Sequence, residues 1–188
     1  MSFFDYPNVA VARRSMLARS GALLSGAAVA LLAGRDALAA QSADSTGDIR
    51  ILNTALAAEY EAIAAYQVGA ESGLLQKQVL DLAVTFQGQH SEHADVLART
   101  VQKLGGAPVA AKAKYEFPVA TLKTQADVLS FAANLEKGAV SAYLGAVPLF
   151  SNRDLAKAGA SILGDEAMHW AILRNAVGEA PVPAAFMA

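Results

Sequence analysis

All three histidines of this 188-residue chain sit in a pattern that occurs twice. In the first copy Glu59-Tyr60-Glu61-Ala62-Ile63-Ala64-Ala65-Tyr66 is followed by Gly88-Gln89-His90-Ser91-Glu92-His93. In the second copy Glu136-Lys137-Gly138-Ala139-Val140-Ser141-Ala142-Tyr143 is followed by Gly164-Asp165-Glu166-Ala167-Met168-His169. Glu59 to His93 is 34 residues and Glu136 to His169 is 33, so the repeat keeps its internal spacing. A repeat of this length is one supersecondary unit used twice. Here the unit is a helical hairpin, and two of them are expected to be related by a pseudo-twofold axis.

The helical reading comes from periodicity. Apolar residues recur at steps of three and four: Leu52, Leu56, Ile63, Tyr66 and Ala70, then Val79, Ala83, Phe86, Leu97 and Leu104. The second half repeats it with Leu129, Ala132, Ala139, Tyr143 and Val147, then Leu155, Ile162 and Leu173. Such stripes line one face of a helix, and no alternating run argues for a strand. Glu59, His90, His93, Glu136, Glu166 and His169 fall on these same stripes, whereas Glu61 and Glu92 are rotated outward. Carboxylates and imidazoles on an apolar face cost several kcal/mol unless paired. A single Glu-x-x-His could be a salt bridge or a satisfied core histidine. Finding every histidine in such a slot points to a shared partner instead.

The class is therefore all-α, with four helices. The first is expected from about Asp48, its N-cap, to Ser72, and the second from about Gln76 to Leu104. Thr124 and Asp127 form a capping-box start for the third, which Pro148 ends. Ser151 or Asn152 caps the fourth, which runs to about Val177, ahead of a Pro/Ala-rich tail at 179–188. Tight turns at 73–75 and 148–152 make antiparallel hairpins. Gly105 to Lys123 holds two prolines and no helical period. Extended, it reaches about 60 Å, enough to run the length of a ~40 Å helix and start the third helix beside the start of the second.

This arrangement resembles the ferritin-like di-metal carboxylate proteins, which place a Glu from each of two helices and Glu-x-x-His from each of the others inside a four-helix bundle. The resemblance covers 48–178, and more narrowly it is to the exported ferritin-like domain proteins of bacteria. It implies that Glu59 and Glu136 are the lone carboxylates, that Glu166 and His169 form one Glu-x-x-His, and that His93 is the histidine of the other. His90 departs from the family pattern, which has Glu there. The ligand set becomes three carboxylates and three imidazoles, and imidazole suits iron, zinc, copper or nickel better than manganese or magnesium. The resemblance implies two iron ions as cofactor, with a single ion, zinc or manganese as alternatives. It also implies redox chemistry of the ferroxidase kind, or iron and peroxide handling. A non-catalytic metal-binding protein, or a stress-related bundle with a vestigial or mononuclear site, stands beside that reading.

Around these candidate ligands, Tyr66 and Tyr143 are expected to pack in the core with satisfied hydroxyls, the functional alternatives being a hydrogen bond to a ligand or a redox-active phenol. Asp165 is either an outer partner of a ligand histidine across the bundle or a solvated residue. Met168 and Trp170 are expected to be packing residues.

Residues 1–39 read as an address. Arg13-Arg14 precedes an apolar Gly/Ala/Leu stretch from Gly21 to Gly34, then Arg35-Asp36 and the small-x-small site Ala37-Leu38-Ala39, the order of an export signal. The paired arginines and glycine-rich core resemble a twin-arginine (Tat) signal, which implies the Tat export machinery as a partner and a periplasmic location. The apolar core is shorter than the ~20 residues that span a bilayer, so no permanent membrane span is expected after cleavage. Residues 40–47 read as a flexible leader. Removing residues 1–39 takes four basic and two acidic groups from 15 and 17, leaving 11 and 15, net −4. That charge provides no nucleic-acid surface. The absence of cysteine excludes disulfides and thiolate metal sites. A homo-oligomer is the one further protein partner left open.

Overall fold

The computed structural model describes residues 45–186, which form helices and loops without a strand. The signal expected at 1–39 lies outside the described residues, as do residues 40–44 of the leader. The helices are α1 (Ser45–Glu71), α2 (Lys77–Lys103), α3 (Gln125–Ala146) and α4 (Arg153–Ala176), with short 3₁₀ turns at Val119–Thr121 and Val147–Leu149. They build a four-helix bundle in which α1 packs chiefly on α2 and α3 on α4. No helix among the described residues is long and apolar enough to cross a membrane.

Local chemistry sets the ends of these helices. Thr124 and Asp127 form the expected capping box on α3, and the Asn152 side chain accepts the Asp154 N–H at the start of α4. Gly105, at φ +81°, closes α2 in a Schellman turn: its N–H reaches the Gln102 carbonyl and that of Gly106 reaches the Val101 carbonyl, both at 2.9 Å. The chain then leaves along α1, where the Asn53 side chain holds it by donating to the Ala107 carbonyl and accepting the Val109 N–H. Farther on, Phe117 packs edge-to-face on Phe131 of α3. The Gln76 N–H donates to the Gln125 side chain at 2.8 Å, so α3 does begin beside the start of α2.

The start of α1 corrects the sequence reading. The helix already includes Ser45–Gly47, part of the expected leader, and Asp48 lies inside it rather than at its N-cap. Asp48 is buried, and its carboxylate accepts the backbone N–H groups of Ser151 and Asn152 at 2.8 and 3.0 Å. It satisfies the start of α4 instead of its own helix, a contact that no local signal encodes. Hydrogen bonds to a charged group are worth about 1.5–3 kcal/mol, so Asp48→Ala should cost about 2 kcal/mol in urea unfolding. Asp81→Ala, which removes an exposed ion pair with Lys77, should change little.

Two apolar clusters fill the bundle. Leu52, Leu56, Leu97, Val101, Leu155 and Ile162 pack at one end, and Phe86, Leu129, Ala133, Trp170 and Leu173 at the other. Glu61 and Glu92 face outward and Trp170 is buried, as expected. Met168 is a correction: one position from His169 it is turned about 100° round α4 and is 58% exposed.

Candidate metal centre

All six side chains picked out by the repeat meet between the two clusters. Glu59 comes from α1, His90 and His93 from α2, Glu136 from α3, and Glu166 and His169 from α4. Five of them are at most 2% exposed; His93 is the exception, with 16% of its side chain open. They form two overlapping groups whose ligand atoms lie within 4.8 Å of one another: Glu59, His90, His93 and Glu166, and His90, Glu136, Glu166 and His169.

In the first group His90 Nδ1 is 2.8 Å from Glu59 Oε2 and 3.6 Å from Glu166 Oε1, while His93 Nδ1 is 3.6 and 3.1 Å from those same oxygens. In the second, Glu136 Oε1 is 3.3 Å from His90 Nε2 and 3.5 Å from His169 Nδ1, which is also 3.5 Å from Glu166 Oε2. Four donors around one ion at 2.0–2.2 Å stand about 3.3–3.6 Å apart in a tetrahedral shell. The spacing fits a metal, and the hydrogen bonding argues the same way. His93 Nδ1, His169 Nδ1, Glu136 Oε2 and both oxygens of Glu166 are buried without a hydrogen-bond partner. His90 aims both ring nitrogens at cluster oxygens, hydrogen-bonding Glu59 Oε2 and Glu136 Oε1. A plain salt-bridge cluster would do the same throughout, whereas these five atoms come within ion-pair range without a hydrogen bond.

The surrounding residues orient the ligands. Tyr143 donates to Glu59 Oε1 at 2.5 Å, and Tyr66 donates to Glu136 Oε1. Each tyrosine packs in an apolar cluster with its hydroxyl satisfied, as expected, and the partner is the lone carboxylate of the other hairpin, a candidate ligand. Spacing along one helix could not reveal a cross-hairpin contact. Asp165, left open from the sequence, places Oδ2 3.5 Å from His93 Nε2 and 3.4 Å from His169 Nε2.

Sequence reasoning misses Gln89 altogether. Its Oε1 lies 2.8 Å from His169 Nε2 and accepts that N–H, which leaves Nδ1 as the free nitrogen facing the carboxylates. The repeat holds the signal, because Gln89 occupies the slot of Asp165. Losing such an outer partner costs about 10–100-fold in metal affinity. Gln89→Ala should weaken metal uptake by that factor in a competition titration against a chelator dye.

Charge is strongly coupled here. Burial pushes the Glu59 carboxyl up, but His90 and His93 outweigh it and bring its pKa to about 2. Glu136 is likewise held well below the usual range against burial, by His169 and His90. Burial prevails at Glu166, whose pKa is raised. The imidazoles would be lowered by burial, but the carboxylates push His90 up to about 11 and His93 and His169 to about 9. Burial and the adjacent carboxylates hold both tyrosines well above 10, so each keeps the proton it donates. Without an ion, protons carry the positive charge of the cluster, and a divalent cation competes with them for the nitrogens.

The fold and cluster define a four-helix bundle with a buried carboxylate–imidazole centre at mid-length. Residues 47–179 match the ferritin-like domain family, and the chain belongs to it. Among solved structures it resembles a conserved hypothetical protein of Mycobacterium tuberculosis, at 22% identity and a TM-score of 0.64 over 70% of this chain and 97% of that one. A ferritin-like, diiron-carboxylate protein of Bacillus anthracis matches at 21% and 0.62, covering 72% and 98%. A point mutant of Listeria innocua Dps matches at 12% and 0.55, covering 70% and 96%. At these identities the likeness shows the shared fold. No curated protein sequence matches the chain.

Proposed function

We propose that this protein is exported, binds a pair of metal ions, iron foremost, at Glu59, His90, His93, Glu136, Glu166 and His169, and handles iron or peroxide in the cell envelope. The observation that carries the metal reading is the set of five buried ligand atoms left without hydrogen bonds. The diiron-carboxylate neighbour supports iron, and the ordered Arg-Arg, apolar and small-x-small regions support Tat-dependent export to the periplasm.

Each residue has a definite part. Glu59 and Glu136 would each serve one ion, held by the hydroxyls of Tyr143 and Tyr66. His93 and His169 would bind through Nδ1, with Gln89 fixing the ring of His169 from outside. Glu166 offers one oxygen to each group. The apolar clusters on either side exclude water, and partly open His93 with Asp165 marks the approach for small solutes. Bound iron would supply one-electron redox chemistry toward O₂ or peroxide.

His90 favours a second reading, binding without turnover, because it removes one carboxylate from the pattern. The test begins with elemental analysis of the purified full chain, expected to give two ions per chain. Adding Fe(II) in air should then raise the near-ultraviolet absorption of ferric iron. A loaded chain that stays colourless keeps the binding and loses the oxidase; a chain without metal loses both. Replacing Arg13-Arg14 with lysines should hold the protein in the cytoplasm. Exposed Met168 and Ile172, one turn apart on α4, are where self-association would start, which light scattering measures.

A further inference from the structure

His90 is the position where the repeat breaks, since the second copy has Glu166 in that slot. An imidazole that served one ion would present one nitrogen to one set of ligands; with no ion bound, both nitrogens of His90 hydrogen-bond to carboxylates, one in each group. The observed ring divides its nitrogens. Nδ1 approaches Glu59 Oε2 (2.8 Å) and Glu166 Oε1 (3.6 Å), the oxygens that His93 Nδ1 also faces. Nε2, across the ring, approaches Glu136 Oε1 (3.3 Å), which His169 Nδ1 also faces. Glu166 is split the same way, with Oε1 toward His93 at 3.1 Å and Oε2 toward His169 at 3.5 Å. Both shared residues thus give one atom to each group.

From this division we infer that His90 bridges the two ions as an imidazolate, one nitrogen on each, beside the Glu166 carboxylate. The inference rests on the two-ion reading above. The step is acid–base only: the metal-free ring carries a proton on each nitrogen, and as each ion enters one proton leaves to solvent and one nitrogen–metal bond forms. The bridge replaces a flexible carboxylate with a rigid, conjugated ring. It favours the later, nitrogen-preferring ions of the first transition row. It also couples the two ions electronically through the ring.

Cu(II) is the probe, because its single unpaired spin reports coupling. The full chain is titrated with Cu(II), metal content is measured at each step, and electron paramagnetic resonance is recorded at liquid-helium temperature. The expected signal grows with the first equivalent and loses most of its intensity with the second. In His90→Gln, which has no second ring nitrogen, two ions should give a signal that keeps growing. His90→Ala, which has no group to reach a second ion, serves if the amide variant does not fold. A two-ion wild-type signal equal to the sum of isolated ions overturns the bridge, as does a coupling unchanged in either variant. A chain that holds one ion removes the bridge and leaves a metal centre; a chain that holds none removes both.

Discussion

Glu166→Ala should leave the proposed centre unable to hold either of its two ions. Glu166 is the one carboxylate common to the two ligand groups, it is fully buried, and neither of its oxygens has a hydrogen-bond partner to fall back on. Losing Glu59 or Glu136 leaves the other group intact and should leave one ion. Losing Glu166 reduces both groups to three donors at once. The affinity loss should exceed, at both positions, the ~10–100-fold that an outer partner is worth. Elemental analysis of the purified variant, beside Glu92→Ala as an exposed control, measures it. Two ions retained by Glu166→Ala would remove this residue from the centre.

Metal removal should be felt most at alkaline pH. The folded imidazoles hold their protons to about 9 (His93, His169) and about 11 (His90), against an ordinary 6.5. A raised pKa adds stability that is complete below 6.5 and is lost as pH rises to the folded value. The metal-free protein should therefore lose several kcal/mol in all from pH 6.5 upward. Glu59, lowered from 4.5 to about 2, works at the other end: its contribution holds above 4.5 and vanishes as pH falls toward 2. In a metal-loaded protein the nitrogens would be held by the ions and the alkaline loss should be absent. Free metal at a thousandfold its Kd stabilises by about 4 kcal/mol. That is a rise in Tm of roughly 8–16 °C for a domain of this size. Calorimetry with and without chelator at pH 6.5 and 8.5 should show the gap widen. Equal melting temperatures at pH 8.5 would sink the metal reading, and a metal-free Tm that climbs with pH would sink the imidazolium account.

The bundle and the residues of its candidate centre are legible in the sequence because both are periodic. Stripes at steps of three and four place Leu56, Glu59, His90, Glu136, Ile162 and Glu166 on inward faces, and all are buried. Capping chemistry at Thr124 and Asn152 is legible for a related reason: a cap acts within three residues of itself. What escapes depends on contacts between elements far apart in the chain. Asp48 resembles the cap of its own helix until the turn before α4 is seen resting on it. Gln89 resembles any surface amide until His169 is opposite. The tyrosines declare themselves only when the hairpins face each other. Met168 misleads because an apolar residue beside a ligand suggests packing, whereas its turn of the helix faces solvent.

The crossover at 105–123 ties the two hairpins into one polypeptide, and that has a consequence for position 90. If each hairpin were a separate, identical subunit, any replacement in that slot would occur in both, giving either two carboxylates or two imidazoles. Covalent linkage frees the halves to differ, so one side can keep Glu166 while the other adopts a ring. An unequal pair of metal positions is open to a fused chain and closed to a symmetric dimer of its halves.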